Sequence, residues 1–170
     1  MNDFNKRYID FCKPFLDALK DVYSTMMSAE LSAGSPTIDE EVKLVGDVSA
    51  MMGISGILEK DGQKKQFKGN LFISWPMDCY LKTASAMLME EHKEFNEEIA
   101  DVGMEICNIT MGNAKSILNN DGYFIDMSIP TSLKGKEMEY KVQEGLQTIV
   151  TPMESSLGLI YVGLNYKDFE

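Results

Sequence analysis

Apolar residues recur at spacings of three and four from Phe4 to Leu31, at Phe4, Tyr8, Phe11, Phe15, Leu19, Val22 and Met26. That period predicts an amphipathic helix. Pro14 falls inside the run. A proline there lacks an amide proton and crowds the preceding turn, so the pattern predicts a kink, or a short helix leading into a longer one. Gly34-Ser35-Pro36 is a stop signal. From 38 to 59 the pattern turns extended, with Val42, Leu44, Val48, Met52, Ile54, Ile57 and Leu58 set among small residues and glycines. Asp61-Gly62 is a strong hairpin turn signal, and the return strand runs from Gln66 to Trp75, closed by Pro76. A helix over 77–91 presents Tyr80, Leu81, Ala84, Met87 and Leu88 as its apolar stripe. The next helix runs from Glu97 to Asn119 and ends at Asn119-Asn120-Asp121-Gly122. Three further strands are predicted near Tyr123 to Ile129, Glu139 to Thr151 and Leu157 to Tyr166. The last is apolar on both faces, which places it in the middle of a sheet.

Helix, strand pair, two helices, strands: this order predicts an α+β layered domain. The chain has 170 residues, 44% of them hydrophobic and 25% charged. One domain spanning 1–170 with a full core is expected at that size. The formal net charge is −11, with no Lys/Arg cluster. Nucleic acid and anionic membranes both require a cationic surface, so neither is an expected partner. The three cysteines, Cys12, Cys79 and Cys107, are far apart and form no C-x-x-C pair. Neither a disulfide framework nor a zinc cage is expected, and a reducing cytoplasm fits. The first residues carry no apolar signal-peptide core, and no apolar run is long enough for a membrane span. The single histidine, His92, lies in Glu90-Glu91-His92-Lys93-Glu94. It reads as a plain surface histidine, and no metal site is expected in the chain.

The helix from 97 to 119 carries the candidate chemistry. At about 100° per residue, Ile99, Val102, Ile106, Thr110 and Ile117 share one face, with Ile109 and Ala114 on its shoulders. The opposite side holds Glu98, Asp101, Glu105, Asn108, Gly112 and Lys115. Glu105 and Asn108 are therefore outward neighbours at i, i+3. A carboxamide both donates and accepts, so it can hold a water at a fixed angle. Placing water in line with phosphorus is the main protein task in phosphoryl hydrolysis. The carboxylate beside it can pair with a partner's lysine. Gly112, one turn beyond Asn108, costs about 1 kcal/mol against alanine in a helix. It leaves room for another protein to come close, or it reflects local packing. Gly103 falls on the core side, where close helix packing accounts for it. Met104 and Met111 flank the acidic face, either as an adaptable contact patch or as partly buried filler. Asp101 is either solvated or a docking charge. Spacing alone leaves open that the whole face is a solvated surface, since Glu-x-x-Asn is common by chance.

The wider segment Asp101-Val102-Gly103-Met104-Glu105-Ile106-Cys107-Asn108-Ile109-Thr110-Met111-Gly112-Asn113-Ala114-Lys115 resembles the signature of the CheC/CheX phosphatase family. Met52-Gly53-Ile54-Ser55-Gly56, the strand ending Phe72-Ile73-Ser74-Trp75-Pro76, and Ala84-Ser85-Ala86-Met87-Leu88 are similar to that family's first hairpin and following helix. The resemblance implies a mostly antiparallel sheet packed by two long helices. It implies a phosphatase acting on the aspartyl phosphate of a CheY-like receiver domain, in chemotaxis or another two-component circuit. Asn108 would orient the attacking water and Glu105 would pair with the receiver's lysine. Asp101, Met104, Met111 and Gly112 are the expected docking residues. Magnesium would sit in the receiver's acidic pocket, and the chain would carry no cofactor of its own. The single Glu-x-x-Asn motif resembles CheX rather than CheC, which implies a homodimer. The alternative is a non-catalytic module that binds a receiver or a flagellar switch component, because fold alone does not decide activity.

Overall fold

The computed structural model describes residues 6, 8–39, 42–44, 46–136, 138–140 and 146–169. Phe4 of the expected first helix, and 141–145 of the expected strand from Glu139 to Thr151, lie outside the described residues. Pro14 acts as predicted. A π-helical turn, Tyr8–Cys12, leads into helix α1, Lys13–Met27, with the proline in its first turn. No amide is needed there, so the proline costs nothing. The apolar stripe of α1 buries Phe15, Leu16, Leu19, Val22 and Tyr23.

Ten strands are described: β1 Ser32–Ala33, β2 Thr37–Asp39, β3 Val42–Leu44, β4 Val48–Lys60, β5 Gln63–Trp75, β6 Tyr123–Met127, β7 Thr131–Lys134, β8 Met138–Tyr140, β9 Thr148–Ser155 and β10 Gly158–Phe169. Eight of them form one sheet in the order β1-β9-β10-β5-β4-β6, with β2 also on β9 and β7 also on β4. The pairings are antiparallel. β3 and β8 make a separate two-stranded ribbon. Asp61 and Gly62 turn the β4–β5 hairpin with φ of 53° and 75°. Positive φ at both central residues is what a two-residue hairpin needs, and it explains the Asp-Gly pair. β10 lies between β9 and β5, the central place its sequence predicts. Its faces are unequal, however: Ile160, Val162 and Leu164 are buried while Leu159 is exposed.

The remaining helices are α2 Met77–Leu88, α3 Glu97–Ala100 and α4 Val102–Asn120. α1 and α4 pack on each other; α4 lies against β4, β5 and β6, and α1 joins the same core, where its Tyr23 meets Trp75 of β5. Val48, Ala50, Met52 and Ile54 of β4 alternate toward the helices, as do Leu71, Ile73 and Trp75 of β5. Burying these side chains stabilises by about 1.5–3 kcal/mol each for the larger ones. On the far face Phe72 makes a small second core with Met51, Leu133 and Met138. Beside it runs a buried polar chain in which Asn165 donates to Thr148 Oγ1 at 3.0 Å. Among the described residues no helix is long and apolar enough to cross a membrane.

Apolar residues near the ends of three helices face solvent. Met89 ends α2 in the left-handed conformation and is 90% exposed, so it fills no core. Ile117 and Met26 are likewise exposed, while the next residues, Leu118 and Met27, are buried, so each helix turns the neighbouring position to the core.

Candidate functional site

The outward face of α4 is the candidate site. Asp101, Glu105 and Asn108 are exposed and Gly112 is half-exposed. Their separations of four, three and four residues set them in one stripe along the helix. Opposite them Val102, Ile106, Thr110, Ala114 and Leu118 are buried in the core. That burial fixes the rotation of the helix and so aims the stripe at solvent. Glu105 lies in the first turn, where the positive end of the helix dipole favours a carboxylate. Its amide closes the turn by donating to the Asp101 carbonyl at 3.0 Å. A side chain added at Gly112 would meet nothing within 4 Å. Local crowding therefore does not account for that glycine. Gly103 is the opposite case: an added Cβ would meet the Trp75 ring at 3.1 Å and the Tyr80 ring at 3.3 Å.

Met111 is corrected. It is 0% exposed and belongs to the core, so it reaches no partner. At the steps of an α-helix it falls near Cys107 and Leu118, which are also buried. Met104 is half-buried at the flank of the stripe.

The helix expected over 97–119 is interrupted by a turn at Asp101, whose φ of −90° and ψ of −4° lie at the margin of the helical region. Asn96 caps α3 by accepting from the Ile99 amide at 3.3 Å. Tyr80 of α2 then enters the backbone ladder. Its hydroxyl accepts from the Gly103 amide at 3.0 Å and donates to the Ile99 carbonyl at 2.6 Å. In an unbroken helix those two groups would bond each other. A side chain inserted in this way is a recognised cause of a helix break. The Tyr80 ring packs edge-on against Trp75, with centroids 5.6 Å apart, and tilts against Phe95 at 5.9 Å. Trp75 in turn donates from Nε1 to the Tyr23 hydroxyl at 2.9 Å. Burial pushes the Tyr80 phenol up to about 12, so it stays protonated and remains a donor. The sequence shows Tyr80 only as one apolar position of α2, and no local motif marks its role.

The three cysteines are buried and unpaired. Burial raises the Cys12 and Cys107 thiols to about 12, so neither supplies a nucleophile. His92 departs from expectation. Its side chain is only 6% exposed. The backbone around it is pinned to the end of α2, where the His92 amide donates to Ser85 Oγ at 2.8 Å.

An antiparallel sheet layered under helices, one of which turns a Glu-x-x-Asn face to solvent, places the chain in the CheC-like class. A CheC-like superfamily protein of Shewanella sp. PV-4 superposes with a TM-score of 0.79 at 31% identity, covering 98% of this chain and 99% of that one. The family model for the chemotaxis phosphatase CheX matches residues 48–154, and the chain belongs to that family. The CheY-P phosphatase CheX of Thermotoga maritima is 25% identical over 124 residues, 71% of this chain and 74% of the relative. A Borrelia burgdorferi CheX crystallised as a CheX-CheY-BeF3-Mg2+ complex is similar with a TM-score of 0.72 at 26% identity, covering 95% of this chain and 99% of that one.

Proposed function

We propose that this protein hydrolyses the aspartyl phosphate of a CheY-like receiver domain, with the outward face of α4 inserted into the receiver's active site. The observation that carries the reading is the pairing of Glu105 and Asn108 at i, i+3 on an exposed stripe, with open space at Gly112 one turn beyond. Family membership supports it, as does the related CheX-CheY-BeF3-Mg2+ complex, since BeF3 is a stand-in for a phosphoryl group.

In this reading the Asn108 carboxamide accepts from and donates to one water, holding its oxygen in line with phosphorus. The water attacks, the bond from phosphorus to the aspartate oxygen breaks, and the aspartate leaves as a carboxylate. Inorganic phosphate carries the water oxygen away. Glu105 pairs with the receiver's lysine and sets the register of docking, with Asp101 and Met104 on the same approach. Magnesium belongs to the receiver's own acidic pocket.

The test is the decay of a phosphorylated receiver from the same genome, followed with wild-type protein and with Asn108→Ala. Acceleration by wild type alone is expected. Equal acceleration by both proteins removes Asn108 from the mechanism. No acceleration by either, with binding retained, makes the protein a receiver-binding module.

A further inference from the structure

We propose a second site in this chain: Glu90, His92 and Glu98 bind one divalent transition cation of the zinc class. Their ligand atoms, one imidazole nitrogen and two carboxylate oxygens, all lie within 4.8 Å of one another. The second observation is independent of the carboxylates. His92 Nε2 is buried and has no hydrogen-bond partner among the described residues. The nearest Glu90 oxygen stands 3.8 Å away, too far for a hydrogen bond. A buried polar atom left without a partner is uncommon in a folded protein and calls for an explanation. A cation bound by the Nε2 lone pair supplies one.

The ligands come from two anchored segments. His92 is held to the end of α2 by Ser85, and the Glu90 amide donates to the Ser85 carbonyl at 3.2 Å. Glu98 sits in the first turn of α3, whose start is capped by Asn96. Donors around a tetrahedral zinc ion stand about 3.3–3.6 Å apart, given bonds of about 2.0–2.2 Å. Glu90 and Glu98 are exposed, so their side chains have room to turn toward the buried imidazole. Two carboxylates neutralise a divalent charge, and water completes the shell. A nitrogen donor in a three-ligand set disfavours magnesium, which prefers oxygen ligands. The bound ion would tie the 89–96 loop to α3, just before the helix that carries Glu105 and Asn108. This proposal does not depend on the phosphatase reading, because its test uses no receiver.

The test is calorimetric titration of the chelator-treated full chain with zinc chloride and, separately, magnesium chloride, together with thermal unfolding and the visible spectrum of the cobalt-loaded protein. One zinc ion per chain is expected, with a raised Tm, no response to magnesium and no thiolate-to-cobalt band. His92→Gln and Glu98→Gln should each weaken zinc binding about tenfold or more, since losing even an outer-shell partner can cost that much. Glu98 is exposed, so Glu98→Gln keeps the test valid if His92→Gln does not fold. Absence of stoichiometric zinc binding, wild-type affinity in Glu98→Gln, or a thiolate band from the cysteines would each overturn the proposal.

Discussion

The Tyr80 hydroxyl accepts a hydrogen bond from the Gly103 amide at 3.0 Å and donates one to the Ile99 carbonyl at 2.6 Å. It thereby sets where α4 begins. Gly103 is two residues before Glu105, so the same contact positions the first turn of the candidate site.

Tyr80→Phe keeps the ring and removes the bridge. The Gly103 amide is then buried without a partner, while the Ile99 carbonyl keeps the Asp101 amide, or the helix closes straight and shifts the stripe. Leaving such a group unsatisfied costs about 1–3 kcal/mol. A lowered urea midpoint with an unchanged m-value is expected, together with slower dephosphorylation. Wild-type stability and rate in this variant would show that the bridge positions nothing.

Glu105 and Asn108 should separate kinetically. Both are exposed, so Glu105→Ala and Asn108→Ala should each change stability by less than about 0.5 kcal/mol. Asn108→Ala should lower kcat about a hundredfold or more, the scale of losing a positioned reactant. Glu105→Ala should chiefly raise KM for the phosphorylated receiver. Unfolding of Asn108→Ala would contradict the exposed position of that side chain.

Gly112 offers a contrast between stability and docking. Alanine there meets nothing within 4 Å, and replacing a helical glycine gains up to about 1 kcal/mol. Gly112→Ala should therefore raise Tm. Gly112→Leu should impair dephosphorylation if a partner approaches this turn closely. Full activity in Gly112→Leu would move the docking surface elsewhere on the helix.

Alkaline pH should destabilise the fold through its buried acids. Cys12 and Cys107 rise from 9.0 to about 12, and Tyr80 from 10.0 to about 12, each chiefly because burial penalises the anion. The unfolded chain loses these protons first, so it binds fewer protons than the folded one over that window. Stability then falls with rising pH. The contribution is complete below about pH 9 and is lost as pH climbs through about 12. Denaturant midpoints measured from pH 8 to pH 11 should decline, and thiol reagents should react only as the protein unfolds. A flat profile would mean that these groups are solvated.

Much of the fold was legible because periodicity reports burial. The spacing of Phe11, Phe15, Leu19 and Val22 marked the first helix. Asp61-Gly62 marked the hairpin, and the apolar run around Ile160 marked a central strand. The outward stripe of Asp101, Glu105, Asn108 and Gly112 was legible for the same reason: whatever does not pack on the core must face away from it. Thr131–Lys134 and Ser32–Ala33 were not legible as strands. They are short edge segments whose pairing comes from the neighbouring strand rather than from their own pattern.

The sequence by itself determined the main helices, the β4–β5 hairpin, the central strand β10 and the outward facing of Glu105 and Asn108, because those follow from interactions a few residues apart. Tertiary structure alone decided that Met111 is core, that Tyr80 interrupts the ladder at Gly103, and that the His92 side chain is buried near Glu90 and Glu98. Each of these depends on which side chain from a different segment occupies the space, and no local spacing encodes that.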